Sequence, residues 1–198
     1  MSLFDYKALQ VEKKGVGSEQ ANKPYSSKYL AAHYQKVSSL EDDLIRIPVL
    51  EEFLFLQSDT AFNAFTFIPL IAKRYPIQEL HASTYSLSRK VVEALIEMHD
   101  QGMIERITLL VSDSMIKRNP LVIDNLMSIA KSRPNVTVLY AWVHAKVCLL
   151  KTSDFHFVIE GSGNWSENAH YEQYVFAESK GLYDFRMKLF TESKLKKY

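Results

Sequence analysis

Cysteine is nearly absent. Cys148 is the single one in 198 residues, which excludes an internal disulfide framework and a cysteine-based zinc finger. An excess of charge of either sign is also missing. With 24 Lys and Arg against 23 Asp and Glu, the formal net charge is +1, so charge alone does not mark a polyanion binder. No long hydrophobic run occurs. The longest apolar stretch, AFNAFTFIPLIA from Ala61 to Ala72, is too short to span a bilayer and is broken by Asn63. The opening segment, MSLFDYKALQVEKK, has no signal-peptide core, so a cytoplasmic location without a membrane anchor is expected. There is no GxxxxGK loop for nucleotide phosphates and no HExxH or similar ligand spacing for a metal, so neither cofactor nor metal is expected. No internal repeat is present.

What remains is ordinary for one globular domain: 47% apolar residues and 24% charged. Residues 1–46 read as an N-terminal arm. The segment VEKKGVGSEQANKPYSSKY is polar and aperiodic, and SSKYLAAHYQKV suggests a short helix. Residues 47–198 form the expected domain. EFLFLQ, IQELHASTYS, IERITLLVSD and NVTVLYAW have the character of strands. Between them lie helical patterns. DTAFNAFTFIPLIAKRY has Asp59 as cap and a bend expected at Pro69. SRKVVEALIEMHDQG is bounded by Ser88 and Gly102, and NPLVIDNLMSIAKSRP by Asn119 and Pro134. This alternation predicts an α/β domain with helices on a largely parallel sheet. After HAKVCLL the rhythm changes to a hairpin with HFVIEGS, a strand YEQYVFAE and a terminal amphipathic helix, GLYDFRMKLFTESKLKK.

Two polar signatures interrupt the apolar strands: His-x-Lys at His144 and Lys146, and Gly-Ser-x-Asn ending at Ser162 and Asn164. Alternation along a strand puts His144, Lys146 and Cys148 on one face. A hairpin would bring the second pair alongside. Lys, Ser and Asn supply donors and positive charge suited to a tetrahedral anion such as phosphate. The imidazole adds a group able to act as nucleophile or acid–base catalyst near neutral pH. Cys148 reads as a small buried apolar residue. His33, His81, His99, His156 and His170 carry no ligand spacing. His81 lies on a strand whose C-terminal end should approach the site, with Tyr85 and Ser86 lining its mouth. The basic end of the terminal helix suits the helix dipole.

HAK, then GSGNW, then the Glu of HYEQY resemble the phospholipase D superfamily, whose signature is HxKxxxxD followed by GSxN and often a Glu or Asn. The resemblance runs from about Glu51 to the C-terminus. It implies a phospholipase D-like sandwich, a mixed β-sheet flanked by helices, with a less regular N-terminal arm. It also implies roles. His144 would be the nucleophile that forms a phosphohistidine. Lys146 and Asn164 would hold the phosphoryl oxygens, and Ser162 would help fix the site. Glu172 would orient the imidazole by accepting its other N–H. The motif's Asp would fall at position 151, where Lys151 stands, and Asp154 is out of register. The family builds one site from two motif copies, and this chain has one. A homodimer with the site on a two-fold axis is therefore expected. The implied function is a metal-independent, nuclease-like phosphodiesterase acting on nucleic acid. Three alternatives stay open: a lipid-directed phosphodiesterase, a phosphate- or nucleic-acid-binding module with little turnover, favoured by Lys151, and an assembly protein working through the arm.

Overall fold

A computed structural model describes residues 33–37, 39–44, 46–58, 62–166, 170–191 and 195–197. Their strands form one sheet in the order β1-β2-β8-β7-β6-β3-β4-β5-β9. These are β1 (His33–Val37), β2 (Glu52–Ser58), β3 (Ile77–Thr84), β4 (Ile104–Ser112), β5 (Val136–Ala141), β6 (Val147–Lys151), β7 (His156–Gly161), β8 (Gln173–Glu178) and β9 (Lys196–Lys197). The sheet is mixed. β3, β4 and β5 run parallel, as the strand–helix alternation predicts, but β3 meets β6 antiparallel, and β6, β7, β8 and β2 continue antiparallel. A seam between a parallel and an antiparallel half therefore lies along β3 and β6.

The helices are α1 (Leu40–Asp43), α2 (Phe67–Ala72), α3 (Arg89–Asp100), α4 (Ser114–Arg118), α5 (Pro120–Ser132) and α6 (Lys180–Thr191). Both faces of the sheet are covered, and the burial alternates along the strands as the pleat requires. Leu80, Leu109, Val138, Leu150 and Ile159 join a cluster with Phe67, Leu95 and Leu126 from α2, α3 and α5. Their neighbours Leu110, Leu139, Leu149 and Val158 join a second cluster with Tyr183 and Phe190 from α6. Two covered faces explain why these strands read as continuous apolar runs.

Local signals succeed where side chain and backbone interact at short range. Ser88 caps α3, its hydroxyl accepting from the Val91 amide at 3.3 Å. Pro69 falls in the first turn of α2, where its missing N–H would have no helical partner anyway. Asp59, the expected cap, lies outside the described residues. Helical structure begins instead with a 3-10 turn at Ala64–Thr66, where Asn63 Oδ1 accepts from the Phe65 amide at 3.0 Å.

Four expectations are corrected. His33–Val37 is not helical but an edge strand parallel to β2, while residues 26–32 of that predicted helix lie outside the described residues. Within the expected arm, Leu40 and Leu44 are core residues, so the end of the arm contributes to the fold. Asn119 makes no side-chain cap, because the short helix α4 precedes it and Asn119 sits between the two helices. The terminal helix is described over Lys180–Thr191 and does not include the basic Lys196–Lys197, which pairs antiparallel with β5. Backbone pairing at the sheet edge outweighs the dipole benefit of a basic helix end, which is at most about 1 kcal/mol on an exposed surface.

Candidate active site

The two signatures meet at one end of the seam. His144 and Lys146 precede β6 rather than lying on it, a correction to the strand expected from His144. Lys146 is still tied to the hairpin, its carbonyl accepting from the Gly161 amide at 3.3 Å. Between them, the Ala145 carbonyl accepts from the buried Ser83 hydroxyl of β3 at 2.9 Å. Side-chain alternation holds beyond: Val147 and Leu149 join the α6 face, Cys148 and Leu150 the opposite one. Cys148 is fully buried, and burial pushes its thiol up to about 12, with Trp165 opposing the shift. It is an apolar filler, as expected.

β7 ends at Gly161, and the chain then packs tightly against β8. A Cβ on Gly161 would collide with the Gln173 carbonyl and lie 2.6 Å from Tyr174 Cδ1, and one on Gly163 would collide with the Tyr174 hydroxyl. The glycines are thus demanded by the buried Tyr174, whose hydroxyl donates to the Phe62 carbonyl at 3.0 Å. Beyond Asn164 the chain is locked by Trp165. Its amide donates to the Ser86 carbonyl at 3.0 Å and to Thr84 Oγ1 at 3.3 Å, and its carbonyl accepts from the Ser88 amide at 2.9 Å. Its indole is 1% exposed, so the Gly-Ser-x-Asn segment hangs from a core anchor.

Within the site, Lys146 Nζ lies 3.1 Å from His144 Nδ1 and donates to the His144 carbonyl at 3.0 Å. An ammonium only donates. Nδ1 is therefore the acceptor, and the neutral ring carries its proton on Nε2. Burial pulls the Lys146 ammonium below the ordinary lysine value, and the Glu172 carboxylate opposes that shift. Ser162 Oγ donates to Glu172 Oε2 and accepts from the Gln173 amide at 3.0 Å. The Glu172 backbone is pinned to β2, its amide donating to Ser58 Oγ at 2.9 Å and its carbonyl accepting from the Ser58 amide at 2.8 Å. Tyr171, in the left-handed region at φ 63°, turns the chain into this position. The structure thus pairs His144 with Lys146 and Ser162 with Glu172. The hydrogen bond that Glu172 Oε2 accepts comes from Ser162, and among the described residues none joins Glu172 to the imidazole.

Tyr85 is at the mouth, as expected, with its ring 4.7 Å from the His144 ring, centroid to centroid. Ser86 contributes its carbonyl to the Trp165 anchor. His81 belongs elsewhere: it bonds Glu79 at 3.3 Å and packs on Phe190 of α6. Sequence reasoning missed Arg118, which stacks over Tyr85, and the anchors Ser83, Thr84 and Trp165. No spacing rule reaches them, because each contact depends on which strands become neighbours. Among the described residues, no three His, Cys, Asp or Glu side chains gather to hold a metal ion, and no helix is long and apolar enough to cross a membrane.

Lys151 has a separate explanation. At about 3.3 Å per residue it lies roughly 16 Å along the strand from Lys146. There it bonds Glu79 at 3.1 Å, alongside Arg106 at 3.0 Å. Burial raises the Glu79 carboxyl, but the bonds from Lys151, Arg106 and His81 outweigh it and hold the carboxyl at about 2. A depressed acid stabilises the fold above its unfolded value and loses that contribution as the pH falls through the folded one. Glu79 should therefore contribute fully above 4.5 and progressively less toward about 2. In denaturant titrations, the stability gap between wild type and Glu79→Gln is expected to be wide at neutral pH and to close across that window. A gap independent of pH would contradict the network.

The sequence matches no family model and no curated protein. Among solved structures, the chain is similar in part to a polyphosphate kinase from Porphyromonas gingivalis (12% identity, TM-score 0.48, 66% of this chain and 25% of that one). It is likewise similar to an archaeal chromatin protein, TrmBL2 (13% identity, TM-score 0.46, 70% and 54%). A third is a phosphatidylserine synthase from Haemophilus influenzae Rd KW20 (9% identity, TM-score 0.49, 78% and 41%). The chain thus spans from 25% to 54% of the length of these structures.

Proposed function

We propose that the protein is a nuclease-like phosphodiesterase that works through a phosphohistidine, in a site shared by two copies of the chain. One observation carries this reading: Lys146 Nζ rests on His144 Nδ1 at 3.1 Å beside the Ser162–Glu172 pair, so an imidazole, an ammonium and a hydroxyl converge at one sheet end. A diester arriving there draws Lys146 and Asn164 to its phosphoryl oxygens. The imidazole nitrogen that Lys146 releases attacks phosphorus. The P–N bond forms, the P–O bond to the leaving group breaks, and His144 of the second copy, acting in its imidazolium form, gives its proton to the departing oxygen and becomes neutral. Water then attacks phosphorus while giving a proton to the now neutral His144 of the second copy, the P–N bond breaks, and a phosphomonoester leaves with the first imidazole restored. The Lys151 replacement does not touch this cluster, since Lys151 serves the Glu79 network.

Nucleic acid is favoured by what flanks the site. Trp142, 83% exposed, precedes His144 by two residues. Tyr85 presents a ring beside His144, and Arg118 and Lys146 add charge. Aromatic faces among cations suit stacked bases and a phosphate backbone. The test is to incubate the protein with labelled single- and double-stranded DNA, RNA and phosphatidylcholine vesicles in EDTA, with its mass measured by sedimentation. Cleavage of nucleic acid by a dimer is expected. Cleavage of the lipid alone would favour the lipid-directed alternative, and no cleavage of any diester would leave a phosphate-binding module.

A further inference from the structure

Lys146 holds one ring nitrogen of His144, and a single hydrogen bond leaves the plane of the ring to be set by something else. His144 is exposed, it precedes the first paired residue of β6, and Glu172 is engaged by Ser162. An imidazole in such a segment has free rotation about two side-chain bonds unless another group restricts it. Reaction geometry tolerates little of that freedom.

We propose that Tyr85, clamped by Arg118, is the positioning residue for the His144 imidazole. The two rings lie 4.7 Å apart, inclined at 48°, within the range of direct ring contact. Tyr85 is held from behind. Arg118 Cζ sits 4.2 Å above its ring, and Arg118 Nη2 donates to the Tyr85 carbonyl at 3.0 Å. Arg118 is itself fixed by Ser114 Oγ, 3.3 Å from Nε and 3.1 Å from Nη2, and Ser114 Oγ bonds the buried Ser112 hydroxyl at 2.9 Å. A continuous chain of contacts therefore runs from the core end of β4 through α4 to the imidazole. On the other side, Ser83 holds the Ala145 carbonyl between His144 and Lys146. Ring and backbone are thus both referred to the end of β3. A guanidinium stacked on a phenol ring also favours the planar, immobile arrangement that a lysine would not supply. The role assigned to His144 rests on the proposed function, but the contact itself does not.

The experiment compares wild type, Tyr85→Phe, Tyr85→Leu, Arg118→Gln and Arg118→Lys, each labelled with isotopic histidine. NMR of His144 reports its tautomer and order in the unliganded protein. Turnover of bis(p-nitrophenyl) phosphate reports kcat and KM. Tyr85→Phe keeps the ring and should keep the wild-type His144 spectrum. Tyr85→Leu should disorder the His144 ring and lower kcat by about ten- to a hundred-fold. Arg118→Gln should act in the same direction more weakly, and Arg118→Lys should rescue it only in part. A wild-type His144 spectrum in Tyr85→Leu overturns the proposal, as does equal disorder of the ring in Tyr85→Phe. Should Tyr85→Leu fail to fold, Arg118→Gln decides, since that side chain is exposed: an unchanged His144 spectrum there overturns the clamp. If wild type cleaves no diester, the proposed function falls, while the spectra still decide the positioning of the ring.

Discussion

Replacing His144 by alanine should lower phosphodiester cleavage by at least ~10⁴-fold and remove any phosphorylated protein intermediate. The loss should be chemical, not structural. His144 is exposed and contributes to neither core cluster, so the thermal midpoint should stay close to that of wild type. A rapid quench of enzyme with phosphorus-labelled substrate checks the intermediate directly, because a phosphohistidine survives alkali and is lost in acid. Lys146→Ala should leave some labelled protein but slow its formation by about a hundred-fold, the usual effect of removing one group that stabilises an oxyanion. The geometry adds a distinguishing detail. With Lys146 gone, Nδ1 loses its donor, so the His144 ring should no longer favour the Nε2–H tautomer. Wild-type turnover in His144→Ala would end the covalent mechanism.

The second large effect is on the fold. Gly161→Ala should lower stability by about 3 kcal/mol, or roughly 6–12 °C in the thermal midpoint. The added methyl meets the Gln173 carbonyl, which is backbone, and the ring of Tyr174, which is held by Phe62. Neither yields by a simple rotamer change. Relief requires β7 and β8 to separate, and that would displace Ser162 and Glu172 with them. Circular-dichroism melting of the variant measures the loss. A midpoint unchanged from wild type would mean that this close approach is not maintained in solution.

The polar cluster was legible in the sequence because its members are close along the chain or repeat a known spacing. His144 and Lys146 are two residues apart, and Ser162 and Asn164 directly follow the next strand of a short hairpin. Their meeting follows from one turn. The Ser88 cap was legible for a similar reason, since it involves only Val91 three residues on. The partner of Glu172 was not legible. Whether its carboxylate reaches His144 or Ser162 depends on how Ser58 and Tyr171 set the backbone before β8, which no pattern encodes. Tyr85 could be placed near the site from the direction of β3, but Arg118 could not, because its reach requires β4 to lie beside β3. β1 escaped because HYQKV lacks alternation, and an edge strand tolerates that. Lys151 looked like a defect in a motif until Glu79 supplied its partner from another strand.

The seating of β2 has a consequence for how the chain is made. Gln57 of β2 pairs with Gln173 of β8, and Ser58 is bonded to Glu172, so on that side β2 must wait for the last strand of the antiparallel half. During synthesis at about 5–20 residues per second, the intervening stretch of about 115 residues takes roughly 6–23 s. For that interval β2 has no neighbour on the side where β8 will lie, although β3, β4 and β5 have all been made. A strand as apolar as EFLFLQS left with an open edge invites pairing with another nascent chain. Slowed translation or crowded polysomes should therefore harm the yield of this protein through β2 before they harm any other element.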